Sequence, residues 1–178
     1  MEDNGPDKLH WYVAYVKSCQ EIITAEALGR FGFESYVPVL KVPHKWSDRV
    51  KIVDHILIRG LVFVRCTDAD RHRILNQVPP LYAFMMDRAS GKSGSAALAV
   101  IPDVEMQRFQ FMVGHAGGGV KISSVQFAPG DKVRITEGPL TGLECEVVKV
   151  DGLKTAIVRL GALGSALATL SAATLHKV

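Results

Sequence analysis

The sequence predicts an α+β protein: an N-terminal antiparallel sheet flanked by helices, followed by a small β-barrel. Three observations carry this. Up to about residue 114 the hydrophobic pattern orders the elements β-α-β-β-β-α-β-α, which suits helices layered on an antiparallel sheet. The stretch Gly114-His-Ala-Gly-Gly-Gly119 then breaks the periodicity and marks a boundary near 115–126. Beyond it, short strands alternate with Gly-rich turns at close intervals, as in a small barrel.

Trp11-Tyr-Val-Ala-Tyr-Val16 is a run of aromatic and β-branched residues and reads as a buried strand. Ser18 with Glu21 three residues on has capping-box spacing, which predicts a helix from about residue 19. Ile22, Ala25 and Leu28 give that helix an apolar stripe, and Gly29 and Gly32 end it because glycine tolerates a left-handed cap. Residues 34–46 read as a strand in which Pro38 and Pro43 favour an edge or a bulge. Trp46-Ser-Asp-Arg49 is a turn, and residues 51–58 return as a second strand. After Gly60, Leu61-Val-Phe-Val64 is strongly apolar. Thr67 or Asp68 caps a second helix with Ile74 and Leu75 inward, and Pro79-Pro80 stops it. Leu81 to Met86 is a strand. Ala89 to Ala97, with Gly91, Lys92 and Gly94, has the composition of a phosphate loop without its spacing, so it reads as a loop only. Pro102-Asp103 opens a third helix whose apolar side is Val104, Phe109, Met112 and Val113.

In the second half Pro129-Gly130-Asp131 is a turn, Lys132–Ile135 a strand, and Glu137-Gly-Pro139 a turn. Glu144–Val150 and Thr155–Leu160 are strands separated by Asp151-Gly152. Leu160, Leu163, Leu167 and Leu170 recur at helical spacing among alanines, so residues 160–175 favour a helix locally, while the barrel needs a strand there.

Composition narrows the function. The 178 residues are 48% hydrophobic and 22% charged, the balance of a soluble globular chain of one domain or two small ones. No apolar run of about 18 residues suggests a membrane span. The acidic start, Met1 to Asp7, has no apolar signal core, so secretion is not expected. Cys19, Cys66 and Cys145 show no CxxC spacing, which argues against a disulfide framework or zinc ribbon and for a reducing cytoplasm. The six histidines are scattered without metal-ligand spacing, and no GxSxG, HExxH or Ser-His-Asp order occurs. Neither an enzyme nor a cofactor or metal is expected, and Cys66 reads as a packed thiol. Net charge is only +3, but residues 41–73 hold eight Lys/Arg against four Asp, with His44, His55 and His72. That stretch suits phosphate or an acidic protein, or is simply a solvated hairpin. No repeat or heptad seam is present, so a monomer is expected.

Gly130-Asp-Lys-Val-Arg-Ile-Thr-Glu-Gly-Pro-Leu-Thr-Gly142 resembles a KOW motif. The order of Trp-Tyr-Val strand, helix, basic hairpin, apolar strand after Gly60 and short linker before it resembles the NusG family over residues 11–178. Trp46-Ser-Asp-Arg49, Val100-Ile-Pro-Asp103 and Val158-Arg-Leu-Gly161 look most like the UpxY group of specialised paralogs, which promote transcription through polysaccharide-synthesis operons. The resemblance implies a ferredoxin-like NGN domain that binds RNA polymerase over residues 9–115. It also implies a flexible linker over 116–126 and an SH3-like KOW domain over 127–178. The first domain would bridge the polymerase clamp over the DNA channel and suppress pausing and termination, by binding rather than catalysis.

Carried over position by position, the resemblance places polymerase contacts at Tyr15, Ile58, Leu61 and Phe63. The family often has Phe-Pro-Gly-Tyr before the apolar strand; here Ile58-Arg59-Gly60-Leu61 replaces both aromatics with aliphatics. The second pincer would meet Arg71, His72 and Arg73. Lys17 and Gln20 occupy positions at which specialised members read the non-template DNA strand, Lys suiting phosphate and Gln a base edge. Leu140, at the turn tip, would contact a KOW partner such as Rho or a small-subunit ribosomal protein. Some NusG paralogs refold their KOW domain into a helical form, so the leucine period also admits a helical tail that masks the polymerase pocket. Two rival readings are a general housekeeping elongation factor and a KOW-type RNA-binding protein of ribosome assembly. The second fits less well, since residues 116–178 carry seven Lys/Arg against five acids.

Overall fold

The computed structural model describes residues 8–87, 97–170 and 175–177. The chain divides into two units, Met1–Val37 with Ile58–Asp103, and Pro38–Leu57 with Val104–Val178. In chain order the elements begin with β1 (His10–Val16), α1 (Glu21–Arg30), β2 (Glu34–Tyr36), β3 (Val39–Lys45), β4 (Val50–Ile56) and β5 (Leu61–Cys66). Next come α2 (Asp70–Gln77), β6 (Leu81–Phe84), β7 (Met86–Asp87), β8 (Ala97–Leu98), β9 (Val100–Ile101) and α3 (Asp103–His115). The remainder is β10 (Val120–Ser123), β11 (Asp131–Ile135), β12 (Glu144–Val150), β13 (Leu153–Arg159), β14 (Ser165–Thr169) and β15 (Leu175–Lys177). The α+β class stands.

The sheet of the first unit runs β2-β5-β1-β6, with β9 also on β1, and every pairing is antiparallel. Alternation along β1 and β5 gives it two faces. Tyr12, Ala14, Val16, Val62, Val64 and Cys66 join Leu28 of α1 and Ile74 of α2 in one core. Trp11, Val13, Tyr15, Leu61 and Phe63 fall on the other face, with Val13 opposite Phe63 and Tyr15 opposite Leu61.

The helix starts depart from expectation. The Ser18–Glu21 capping box does not form: Gln20 is the N-cap and makes no side-chain cap bond. Glu21 is instead buried, its Oε1 accepting from the Gly60 N–H at 2.7 Å. The inward face of α1 is therefore Glu21, Thr24 and Leu28, and the expected Ile22 is exposed. Thr24 is tolerated inside because its hydroxyl donates to the Gln20 carbonyl at 2.6 Å. The other end is as the glycines suggest. Gly32, at φ 83°, donates to Gly29 O, and Phe33 N–H reaches back to Leu28 O, the paired bonds of a Schellman cap. Thr67 rather than Asp68 braces α2, since Asp70 N–H donates to its hydroxyl oxygen and that hydroxyl donates to the Asp70 carboxylate.

Two expected strands are broken. Residues 34–46 split into β2 and β3 around Pro38, whose ring leaves no N–H for a ladder. Leu81–Met86 splits into β6 and β7. On α3 the buried stripe is Met106, Phe109, Met112 and Val113, and Val104 is exposed. The loop expected at Ala89–Ala97 lies, up to residue 96, outside the described residues.

In the second unit β3 and β4 form a hairpin. The barrel is a six-stranded antiparallel sheet ordered β10-β14-β13-β12-β11-β15. Val133, Ile135, Leu143, Cys145, Ile157, Val158 and Leu160 are buried, each such aliphatic side chain contributing about 1.5–3 kcal/mol. Val120–Ser123, inside the segment read as a linker, form β10 and pair with β14. The tail, where the leucine spacing favours a helix, forms a short 3-10 turn at Gly161–Leu163 and then β14.

Candidate functional site

The candidate surface of the first unit is built where the end of β1 meets the starts of β5 and β6. Val16 N–H donates to Gly60 O and Lys17 N–H to Pro80 O, both at 2.9 Å. Gly60, at φ 74°, adopts the left-handed conformation that glycine takes without strain. Glu21 fixes that turn from inside through the Gly60 amide. On the resulting surface Tyr15 is half-buried and stacks on Tyr82, with ring centroids 6.2 Å apart and planes at 22°. Tyr82 is 61% exposed. Ile58 is half-buried, and Arg59 and Lys17 are exposed beside the turn. An aromatic pair bordered by an aliphatic and two cations suits an apolar, aromatic-accepting protein contact.

Leu61 and Phe63 lie on the same face of the sheet but are buried, Leu61 at 6% exposure. Phe63 sits 6.2 Å from the Tyr36 ring, and burial pushes that phenol up to about 12. Of the four expected aromatic and aliphatic contacts, Tyr15 and Ile58 reach solvent, while Leu61 and Phe63 support them.

Arg71, His72 and Arg73 stand on α2, on the opposite face of the sheet. Arg71 is committed to Asp68 through bonds of 2.9 and 2.6 Å and lies 5.7 Å from the Tyr12 ring centroid. Burial, then the nearby Asp68, raises the Tyr12 phenol above its ordinary value. Arg73 covers Phe33 at 5.6 Å, and His72 is exposed. Lys17 and Gln20 bracket the turn into α1, joined by a bond from Gln20 N–H to Lys17 O at 3.1 Å. Lys17 is exposed and Gln20 half-buried.

In the barrel Leu140 is buried at the 136–142 turn instead of standing at its tip. Several charged groups there are mutually paired. Arg159 clamps Glu146 with bonds of 3.0 and 2.8 Å and donates to the carbonyls of Phe127 and Ala128. Gly130 N–H also donates to Glu146. The Arg159 bonds hold the Glu146 carboxyl below the usual carboxylate range. Burial pushes the Cys66 thiol up to about 12 and the Cys145 thiol up to about 11, so both are packed thiols at neutral pH. Among the described residues no cluster of His, Cys, Asp or Glu is placed to hold a metal, and no helix is long and apolar enough to cross a membrane.

Sequence reasoning missed two residues of the surface. Tyr82 sits in a short apolar strand where its two-residue offset from Phe84 points to the core face, and the register shift between Tyr15 and Val16 brings it beside Tyr15 instead. Glu21 was assigned to a cap; its signal was the absence of an apolar residue at the first inward position of α1.

A family model described as "NusG: Transcription termination factor nusG" matches residues 9–110, more than half of the chain. A KOW motif model matches residues 129–160. No curated protein matches the chain. Among solved structures, that titled "Domain interaction in Thermotoga maritima NusG" aligns at 18% identity and TM-score 0.44, covering 96% of this chain and 98% of that one. An MjSpt4:Spt5 complex in its conformation A aligns at 14% identity and TM-score 0.30, covering 94% and 91% respectively.

Proposed function

Because the chain belongs to the NusG family of transcription factors, we propose that it binds RNA polymerase through its N-terminal part and suppresses pausing and termination. The observation that carries this is the Tyr15–Tyr82 stack beside the Gly60 turn, an exposed aromatic anchor at the position where the family docks the polymerase. Residues 9–115 form the polymerase-binding module, 116–126 the connection and 127–178 the KOW module in this reading. Tyr15 and Ile58 make the direct clamp contact, with Leu61 and Phe63 shaping it from beneath. Arg71, His72 and Arg73 meet the second pincer from the other face of the same sheet. Two contact sets on opposite faces suit a bridge, because one rigid sheet then fixes the span between them. His72, exposed and uncommitted to the aromatics that hold its neighbours, is the leading contact of the second set.

Lys17 and Gln20 take the non-template strand in this proposal, and the KOW barrel recruits Rho or a small-subunit ribosomal protein. Leu140, being buried, shapes that surface through the turn. Specialisation for polysaccharide-synthesis operons is supported by the UpxY-like segments, each with a structural task. Trp46 N–H closes the hairpin turn onto Arg49 O at 2.8 Å. Asp103 pairs with Arg65 at 3.0 Å. Arg159 clamps Glu146. The chain acts in the cytoplasm, as a monomer, by binding alone.

Single-round transcription by the host polymerase, on a template with a pause site and a terminator, tests the reading. Added protein is expected to raise read-through, and Tyr82→Ala to abolish most of the gain. No change on any template, with a cognate leader included, would overturn the proposal in favour of an RNA-binding role. Increased termination would instead assign the dominant effect to Rho recruitment by the KOW module.

A further inference from the structure

The β11–β12 hairpin of the barrel has two ends. At one, Leu140 and Leu143 are buried around the 136–142 turn. At the other, where β11 starts and β12 turns into β13, the barrel opens into a groove of about 700 Å³. Pro129, Val133, Val147 and Val148 give it an aliphatic floor, with Phe127 and Leu175 half-buried at its border. The rim is basic. Lys149, Lys154 and Lys177 stand exposed on it against one carboxylate of the lining, Asp131.

Strand register explains how the lysines gather. Asp151 and Gly152 both take positive φ, 49° and 79°, as a two-residue type I′ turn requires. Val150 opposite Leu153 closes that turn, and the next pair is Lys149 directly opposite Lys154. The closing pair of such a hairpin exchanges both ladder bonds, so the next pair is the non-hydrogen-bonded kind, whose side chains stand closer. The backbone agrees: Lys154 O accepts from Leu170 N–H at 2.9 Å, on the side away from β12. Two like charges directly opposite each other are destabilising. Alternation from the buried Cys145 through Val147 puts Lys149 on the inward side of β12, so both ammonium groups border the groove. Arg134, Arg159 and Lys177 each have a carboxylate partner in the barrel, whereas Lys149 and Lys154 have no ion-pair partner among the described residues.

From this juxtaposition we infer that the open end of the barrel docks an acidic peptide segment of a partner protein. One apolar side chain of the segment fills the groove, and neighbouring carboxylates take Lys149 and Lys154. Charge complementarity carries the choice of occupant. Two adjacent ammonium groups repel each other until an anion lies beside both, and Asp131 is already held by Lys177 at 2.9 Å. A nucleic-acid strand would bring the charge, but its bases stack on open rings. The floor here is aliphatic and Phe127 is half-buried, so the strand would leave the groove unfilled. A peptide with apolar and acidic side chains in turn satisfies both the floor and the rim. The surface uses none of the residues assigned above to the polymerase, to DNA or to the 136–142 turn.

The test is amide NMR of the full chain, titrated with the blocked peptide Glu-Asp-Leu-Glu-Phe-Asp. Amide signals of residues 129–133, 147–154 and 175–177 should move, and added salt should weaken the effect. Lys149→Gln and Lys154→Gln should each weaken binding by about two- to fivefold, the effect of losing one exposed ion pair. Lys149→Glu probes the free protein as well. It turns the like pair into an opposite one, so the urea midpoint should rise while peptide binding falls by about tenfold. An undisturbed groove overturns the inference, as does equal binding by the peptide with Gln and Asn in place of its acids. Tighter binding by oligouridine would assign the groove to nucleic acid and overturn it. Concentration-dependent shifts of the same amides without peptide would assign it to a second copy of the chain, with the same consequence. A Lys149→Glu variant no more stable than wild type removes the charge argument and the inference with it. The assay contains no polymerase, so a failure here leaves the read-through result standing.

Discussion

Glu21 offers the sharpest test of how the surface is built, because one buried side chain holds the turn that presents it. In Glu21→Ala the Gly60 N–H loses its 2.7 Å acceptor, and one methylene leaves the interior with the carboxylate. An unsatisfied buried donor costs about 1–3 kcal/mol, and the methylene about 0.8 kcal/mol. Gly60 is only half-buried, so water recovers part of the first loss, and the total comes to about 1.5–3 kcal/mol. With a urea dependence near 2 kcal/mol per molar, the unfolding midpoint should fall by about 0.7–1.5 M. Glu21→Gln is the control. It keeps an oxygen for Gly60 and places an amide nitrogen where Oε2 now has no partner among the described residues. One unsatisfied atom replaces another, and the change should stay within about 1 kcal/mol. Urea unfolding of the three proteins, followed by tryptophan fluorescence, reads both values. If Gln costs as much as Ala, the acceptor geometry is not what Glu21 contributes. If Ala costs nothing, the Gly60 turn is held by other means and the account of the surface fails with it.

Tyr82→Ala removes a largely exposed ring that stacks on Tyr15, so it should reduce polymerase affinity about tenfold while moving stability by less than about 0.5 kcal/mol; a pull-down with core polymerase beside thermal unfolding separates the two. Leu61→Asp does not separate them, since Leu61 is buried and the charge would unfold the sheet. Gly29→Ala should stabilise the chain by about 0.5–1 kcal/mol, as it lies inside α1 with nothing near an added Cβ. Gly130→Ala should cost about 1–3 kcal/mol or more, because its Cβ would stand 2.5 Å from the Val147 carbonyl oxygen, and backbone cannot yield cheaply; calorimetry of both variants checks the contrast. Acid should weaken the barrel through Glu146. Its folded carboxyl titrates below the ordinary value, so this stabilisation is full above the usual carboxylate range and is lost as pH falls through the folded value. Urea midpoints at pH 7 and pH 4 should therefore converge for Glu146→Gln relative to wild type, and an equal loss in both would remove Glu146 from the account.

Much of the fold is legible because it rests on local chemistry. Trp11–Val16 and Leu61–Cys66 are apolar enough that only a covered strand accommodates them, and Gly32 signs the end of α1 through its left-handed φ. What is not legible depends on distant partners. Nothing near Glu21 in sequence announces Gly60, 39 residues on, so the carboxyl reads as a cap. Tyr82 reads as one more strand residue until β1 brings Tyr15 beside it. Leu61 and Phe63 stand where the family resemblance leads one to expect contacts, but alternation alone does not say whether that face of the sheet is open or covered.

The C-terminal tail shows how such distant terms win. Leu160, Leu163, Leu167 and Leu170 keep helical spacing, and the intervening alanines prefer a helix by at most about 0.7 kcal/mol per residue over strand formers. Against this, β14 has a neighbour on each edge, β10 through Val120–Ser123 and β13 through Thr155–Arg159. Each ladder hydrogen bond contributes a net of about 0.5–1.5 kcal/mol, and a central strand makes them on both sides. The small Ala166 and Ala168 are fully enclosed, where larger side chains would meet the barrel interior. Gly164 makes the turn into the strand possible, at φ 105°, with any Cβ directed into the Ser123 carbonyl oxygen. A residue with a side chain at 164 would therefore disturb the β10–β14 pairing at its first rung, Ser123 opposite Ser165. The strand follows from two neighbours and one glycine, none of which enters a helical-period reading of the leucines.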